Sequence, residues 1–142
     1  GSTWNLFYQK WGILGTGVTD PSVSPYSPQA CGWGLTIARW MGSALVIAPI
    51  EEFFWRGFLY RWLVNRRFLS INLTYLDLRM FLLTALLFGL EHDRWFVGCL
   101  AGLMYGLLTV RSGNLWVAAL AHSTTNMALG AYVLATGSYG FW

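Results

Sequence analysis

Two adjacent carboxylates, Glu51 and Glu52, lie with Arg56 inside a run of residues that is otherwise apolar from Gly42 to Trp55. This stretch constrains the chain most, because the segments around it have the composition of lipid-embedded helices. Each ionisable group in a membrane helix costs about 2.5–3.5 kcal/mol on insertion scales, so such groups are retained mainly where they line a polar cavity or do chemistry. The other polar side chains that could face this pair therefore decide what the chain does.

The composition indicates an integral membrane protein. Hydrophobic residues make up 56% of the 142 residues and charged residues only 11%, whereas soluble domains carry roughly 25% charged residues. The mean hydropathy is +0.47. The basic residues give a net charge of +3 but are scattered, so no nucleic-acid partner is expected. Of the two cysteines, Cys99 lies in an apolar segment, and neither a disulfide nor a metal pair with Cys31 is expected.

The chain divides into two parts. We expect residues 1–32 to form an irregular extramembrane segment, because Pro21, Pro25 and Pro28 are spaced too closely for a helix. Residues 33–142 should form the functional core. Its predicted fold class is all-α, a polytopic transmembrane helix bundle with about four spans. The predicted spans are Gly34–Val64, Arg79–Glu91, Trp95–Val110 and Leu115–Ala135.

Two features predict the local geometry of these spans. Pro49 should kink or restart the first helix just before the carboxylates. Small residues at a four-residue spacing should line one face of the third helix and permit close packing in lipid. These residues are Gly98, Gly102 and Gly106.

The distribution of the arginines predicts which side of the bundle faces the cytoplasm. The loop over residues 61–79 and the turn at residue 111 fall on one side of the bundle, while Arg39 and Arg94 fall on the other. Because cytoplasmic loops carry an excess of basic residues, the first side is expected to be cytoplasmic. Its basic residues are Arg61, Arg66, Arg67, Arg79 and Arg111.

Three groups of polar residues are candidates for a common site. Glu52 and Arg56 are four residues apart and share a helix face, which also fits a plain ion pair. His92 ends the second span and could equally be an interfacial or capping residue. His122 and Asn126, again four apart, could simply clamp two helices together. At a rise of about 1.5 Å per residue, Glu51 and both histidines nevertheless reach a similar depth, which favours one shared site.

The side chains of such a site suit amide hydrolysis. A carboxylate near an imidazole can act as a general base on water. A second imidazole and an amide can stabilise the oxyanion that forms at the attacked carbonyl. The same residues could also bind zinc, although no His-Glu-x-x-His stretch is present. The residues of this zinc alternative are Glu51, Glu52, His92 and His122.

Three motifs, taken in order, resemble those of a known family. They are Glu51-Glu52-x-x-x-Arg56, Phe88-x-x-x-His92 and His122-x-x-x-Asn126. Together they resemble the CPBP family of intramembrane glutamic endopeptidases, also called type II CAAX proteases or the ABI domain. The run over residues 47–62 and the segment Phe88-Gly-Leu-Glu-His92 are similar to the prenyl-protease-related branch associated with exosortase systems.

The resemblance implies a bacterial inner-membrane protease that needs no metal or other cofactor. Glu51 and His92 would activate water, while His122 and Asn126 would hold the oxyanion. Glu52, Arg56 and Phe88 would support the site. The implied partners are membrane lipid, a prenylated or other membrane-associated protein or peptide substrate, and proteins of a sorting system. An alternative is a non-catalytic membrane protein, for bacteriocin immunity or protein sorting, that uses the same fold for binding.

Overall fold

A computed structural model describes residues 25–141 of the chain. Within that range the fold is all-helical, as predicted, and contains four long helices and two short 3-10 turns, Phe68–Ser70 and Tyr139–Phe141. The helices are α1 (Pro28–Val64), α2 (Leu78–Leu90), α3 (Trp95–Ser112) and α4 (Leu115–Thr136).

The first helix begins earlier than the sequence predicted. Ser27 is its N-cap, with a side-chain oxygen that accepts a hydrogen bond from the Ala30 N–H, and Pro28 occupies the first turn. Proline suits that position because its missing N–H would have no helical partner there. Gly32, with φ of 81°, interrupts the helix before it continues. The expectation of an irregular segment up to residue 32 is therefore wrong for its last residues, and residues 1–24 lie outside the described residues.

Wide π-helical turns in α1 accommodate Pro49. The backbone over Ser43–Ile47 is π-helical, and the Ala48 N–H bonds to the Ser43 carbonyl five residues earlier. A proline ring would clash with the carbonyl of a regular turn before it. The helix therefore resumes over Ala48–Glu52 after the wide turn, and a second π-helical stretch follows over Phe53–Leu59.

Glycine contacts bring α2 and α3 together. A Cβ atom placed on Gly98 would lie 2.9 Å from the Cα of Gly89, and one on Gly102 would lie 3.2 Å from the Cα of Ala85. A Cβ on Gly106 would meet the Phe81 ring at 2.6 Å. The predicted face of small residues on the third helix is therefore where the second helix packs.

The outer surface of the bundle is apolar. Ile50 is 59% exposed, Leu120 is 64% exposed, and many other large hydrophobic side chains are also exposed. By length and composition, α1 and α3 are able to cross a membrane. Helix α2, with 13 residues, is about 20 Å long, shorter than a hydrocarbon core of about 30 Å. A membrane helical bundle is thus supported, while the count of four spans stays a prediction.

Candidate active site

Glu52 is the centre of a buried polar cluster. Its side chain is fully buried, and its Oε1 accepts a hydrogen bond from Nη1 of Arg56 at 2.8 Å. The same oxygen lies 2.9 Å from Nδ1 of His122 on α4. Arg56 also donates from Nη2 to the Gly102 carbonyl on α3, at 2.8 Å. The Glu52 carboxylate and its partners therefore connect three helices.

Phe88 packs against this cluster from α2. Its ring is 1% exposed and lies under the Arg56 guanidinium, whose central carbon is 4.4 Å from the ring centroid. The ring also lies edge-on to His122, with centroids 5.8 Å apart, and edge-on to Trp55. The quadrupole of an aromatic ring attracts a cation over its face. Phe88 thus adds a favourable contact to a guanidinium that is removed from water.

Glu51 and His122 form the part of the cluster that is nearer to solvent. The Glu51 side chain is 23% exposed, and its Oε2 lies 3.7 Å from Nε2 of His122. The Glu52 carboxylate is paired with Arg56 and therefore only accepts hydrogen bonds, so in its contact with His122 the hydrogen must lie on Nδ1 of the imidazole. The other ring nitrogen, Nε2, faces the Glu51 carboxylate.

His92 lies just beyond the end of α2. Its Nδ1 is 2.7 Å from the carbonyl oxygen of Phe88. A carbonyl only accepts hydrogen bonds, so Nδ1 carries the hydrogen, and in the neutral ring Nε2 holds a lone pair. This backbone contact orients the imidazole and gives it the tautomer of a proton acceptor.

Asn126 connects α4 to the first π-helical turn of α1. Its Nδ2 donates to the Ser43 carbonyl at 3.1 Å, and that carbonyl also accepts from the Ala48 N–H. An amide nitrogen has two hydrogens, so this bond uses one and leaves the other. The contact sets the direction in which the side chain points.

A cavity of about 380 Å³ adjoins part of this cluster. His92, His122 and Asn126 line it, and Glu51 adjoins it through its contact with His122. The structure thus places His92, His122 and Asn126 on one cavity, with Glu51 3.7 Å from His122. Phe88 also lines that cavity, whereas Glu52 and Arg56 do not. Their chemical roles remain predictions.

The match to a family model covers most of this arrangement. Residues 33–128 match the family described as Type II CAAX prenyl endopeptidase Rce1-like. The chain belongs to this Rce1-like family. No curated protein and no solved structure matches the chain. The family is one of membrane-embedded CAAX-type proteases, which confirms the resemblance in its main part, while the association with exosortase systems stays a prediction.

Sequence reasoning missed one residue of the Rce1-like site. Tyr105 on α3 is 6% exposed, lines the cavity, and stacks on His122 with ring centroids 4.7 Å apart and an interplanar angle of 19°. It follows Gly102 by three residues and therefore lies near the packed glycine face. That spacing was the available signal, but it does not show that an imidazole from another helix lies against the ring.

The zinc alternative has no support from the arrangement of side chains. Among residues 25–141, no group of three or more His, Cys, Asp or Glu side chains is placed to hold a metal ion. The Oε1 atom of Glu52 is already shared between Arg56 and His122. The polar groups at the centre of the Rce1-like site are therefore bonded to one another.

Proposed function

We propose that this Rce1-like chain is an intramembrane endopeptidase in which Glu51 and His92 activate a water molecule. The observation that carries the proposal is the contact of Glu51 with His122 beside a cavity that His92 and Asn126 also line. The proposal includes membrane crossing by all four helices. The substrate is a membrane-associated protein or peptide, prenylated or not, in a bacterial inner membrane, and sorting-system proteins are candidate partners.

The first step is attack by water. Glu51 accepts a proton from the water as its oxygen bonds to the carbonyl carbon of the scissile amide. The Nε2 lone pair of His92 accepts the second water hydrogen in a hydrogen bond and orients the molecule. The step requires both groups to lie within hydrogen-bond reach of the same water molecule, because a general base must reach the proton that it takes.

The second step is stabilisation and collapse of the tetrahedral intermediate. Asn126 donates its remaining N–H to the oxyanion. His122 donates from Nε2 as well only in its imidazolium form, because its Nδ1 hydrogen is already bonded to Glu52. Removing one such donor typically lowers turnover by about 10²–10³-fold. As the C–N bond breaks, Glu51 returns its proton to the leaving amine, and the carboxylic acid product loses its own proton to solvent.

Glu52 and Arg56 act as positioning residues in this scheme. Glu52 holds the Nδ1 hydrogen of His122 and so fixes which ring nitrogen faces Glu51. Arg56 compensates the Glu52 charge and ties it to α3 through the Gly102 carbonyl. Neither side chain needs to touch the substrate for its removal to lower the rate.

The test is a comparison of two Glu→Gln variants in purified protein. Glu51→Gln removes the base but keeps the size of the side chain, so hydrolysis should be lost while thermal unfolding is unchanged. Glu91→Gln is the matched control, because Glu91 is exposed at the rim of the same cavity. Cleavage of prenylated and unprenylated membrane peptides, followed by mass spectrometry, provides the assay.

Two results would count against the proposal. Normal turnover by Glu51→Gln would reject that residue as the base. No cleavage by folded wild-type protein, together with retained peptide binding, would favour the non-catalytic alternative instead.

A further inference from the structure

We infer that Tyr105 is a positioning residue: its ring holds the imidazole of His122 in the plane that keeps Nε2 facing Glu51. The contact of the two rings is independent of the reaction, whereas its consequence for catalysis rests on the proposed function. Tyr105 lies in none of the three motifs of the sequence, so its contribution comes from the packing of the bundle.

The hydrogen bond to Glu52 does not by itself fix the imidazole of His122. That bond sets the position of Nδ1, which lies 2.9 Å from Oε1 of Glu52. A hydrogen bond tolerates a range of angles, and the last torsion of a histidine side chain has broad minima. The bond alone therefore leaves the plane of the ring, and with it the direction of Nε2, loosely defined.

Tyr105 restrains the plane of this imidazole. The centroids of the two rings are 4.7 Å apart and their planes are inclined by 19°, so the rings are stacked. Phe88 meets the imidazole edge-on, with an interplanar angle of 75°. In a close-packed interior, a tilt of the imidazole would press it against the face of Tyr105. Nε2 is thereby held in the direction in which it lies 3.7 Å from Oε2 of Glu51.

The Tyr105 ring is itself held by the contact of α3 with α2. It lies between Gly102 and Gly106, and a Cβ atom on these glycines would meet the rings of Phe88 and Phe81, at 3.1 Å and 2.6 Å. The Tyr105 ring is 6% exposed and lies edge-on to Phe88, with centroids 6.3 Å apart. A side chain that positions a catalytic group must be locked by packing, and Tyr105 meets this requirement.

A direct contact of Tyr105 with the peptide is the competing explanation, because Tyr105 also lines the cavity. The two explanations differ in what happens when His122 is removed. A residue that acts only through His122 causes no further loss in a His122→Ala protein, because residues that act as a unit are not additive. A residue that binds the peptide raises KM and adds its own loss to that of His122→Ala.

The kinetic test compares Tyr105→Phe with Tyr105→Leu in the purified full chain. Phenylalanine keeps the stacked face and should turn over near the wild-type rate. Leucine removes that face and should lower kcat by about 10-fold to 100-fold with KM unchanged, since a misplacement of about 1 Å can cost about 10²-fold. Phe81→Leu is the matched control, because it removes another buried ring from the contact of α2 with α3 and should keep kcat.

Nuclear magnetic resonance of histidine-labelled protein in detergent gives a readout that needs no hydrolysis. The chain contains two histidines, so the labelled imidazoles give two sets of signals. Protons that lie over an aromatic face are shifted upfield. The His122 signals should lose this shift in Tyr105→Leu and keep it in Tyr105→Phe, while His92, held by the Phe88 carbonyl, serves as the internal reference.

Four results would overturn the inference: a wild-type kcat in folded Tyr105→Leu, a further loss in the His122→Ala background, a Tyr105→Phe protein as slow as Tyr105→Leu, or an equal loss in Phe81→Leu. Should the leucine variant fail to fold, Tyr105→Met repeats the comparison with another side chain that has no ring. The expected resonance shifts in a folded protein without hydrolytic activity would reject the proposed function but keep Tyr105 as the residue that positions His122.

Discussion

Glu51 and Glu52 are neighbours in sequence but have different environments. Successive residues of an α-helix are turned by about 100°, so the two carboxylates cannot share one set of partners. Glu52 is fully buried between Arg56 and His122, while Glu51 is 23% exposed beside the cavity. The residue with access to water is thus the candidate base, and the buried one organises its surroundings.

Replacing Arg56 with methionine should destabilise the fold. The substitution keeps most of the side-chain volume but leaves the Glu52 carboxylate without its cation, and breaking a buried pair costs about 3–5 kcal/mol. The measurement is thermal or denaturant unfolding in detergent. Arg79→Met is the control, because Arg79 is exposed at the start of α2. An Arg56→Met protein as stable as wild type would contradict the assignment of a structural ion pair.

At the scale of helices, a π-helical turn and close glycine contacts position the side chains of the candidate site. The π-helical turn over Ser43–Ile47 aims the Ser43 carbonyl at Asn126, so an irregularity in α1 positions a side chain on α4. The glycine contacts of α3 bring α2 close enough for Phe88 to cover Arg56. Isolated π-helical turns are frequent at functional sites. The turn in α1 bonds directly to Asn126, a residue of the candidate site.

Replacing Gly98 with alanine should destabilise the contact of α2 with α3. The new Cβ would lie 2.9 Å from the Cα of Gly89, and backbone cannot move aside as a flexible side chain can. Overpacking of this kind costs about 1–3 kcal/mol. Gly42→Ala is the matched control, because its Cβ would meet no atom within 4 Å, and alanine is favoured over glycine in helices by about 0.5–1 kcal/mol. Unfolding midpoints of the two variants should move in opposite directions, and equal shifts would contradict this packing.

At the scale of the whole molecule, the bundle reverses the usual arrangement of a soluble protein. Large apolar side chains are exposed around it, while a charged carboxylate, a guanidinium and an imidazole are buried at its centre. In lipid, exposed apolar surface costs nothing, and helices associate through packing and polar contacts. The polar cluster therefore connects three helices, and in the proposed function it also holds the catalytic side chains in place.

Hydrolysis by the whole protein should not depend on a metal ion. In the described part of the chain, the carboxylates and imidazoles form no group of three or more that could hold one, and the main members already bond to one another. Treatment with 1,10-phenanthroline or EDTA should leave turnover at the wild-type level. Inhibition that added zinc reverses would contradict this prediction and support the zinc alternative.

Local signals were sufficient for the elements of this fold. Apolar runs, the Arg111–Asn114 turn and the charged segment after Leu90 predicted α2, α3 and α4 to within a few residues, because helix ends depend on nearby residues. The start of α1 was missed because Pro28 was taken as a helix-breaking residue. With Ser27 as the N-cap, Pro28 lies in the first turn of the helix, where proline is common. The residues of the site were also identifiable, since ionisable groups in apolar helices are conspicuous.

The sequence alone therefore determined the helical class, the membrane composition, the family motifs and the candidate residues, since each depends on neighbours or on residue counts. Only the tertiary structure decided which carboxylate is buried, which nitrogen of His122 faces Glu51, and that Tyr105 stacks on that ring. Glu52 and His122 are 70 residues apart, and no local pattern specifies their contact. Such a contact arises from how helices pack, which is a property of the bundle and not of any one segment.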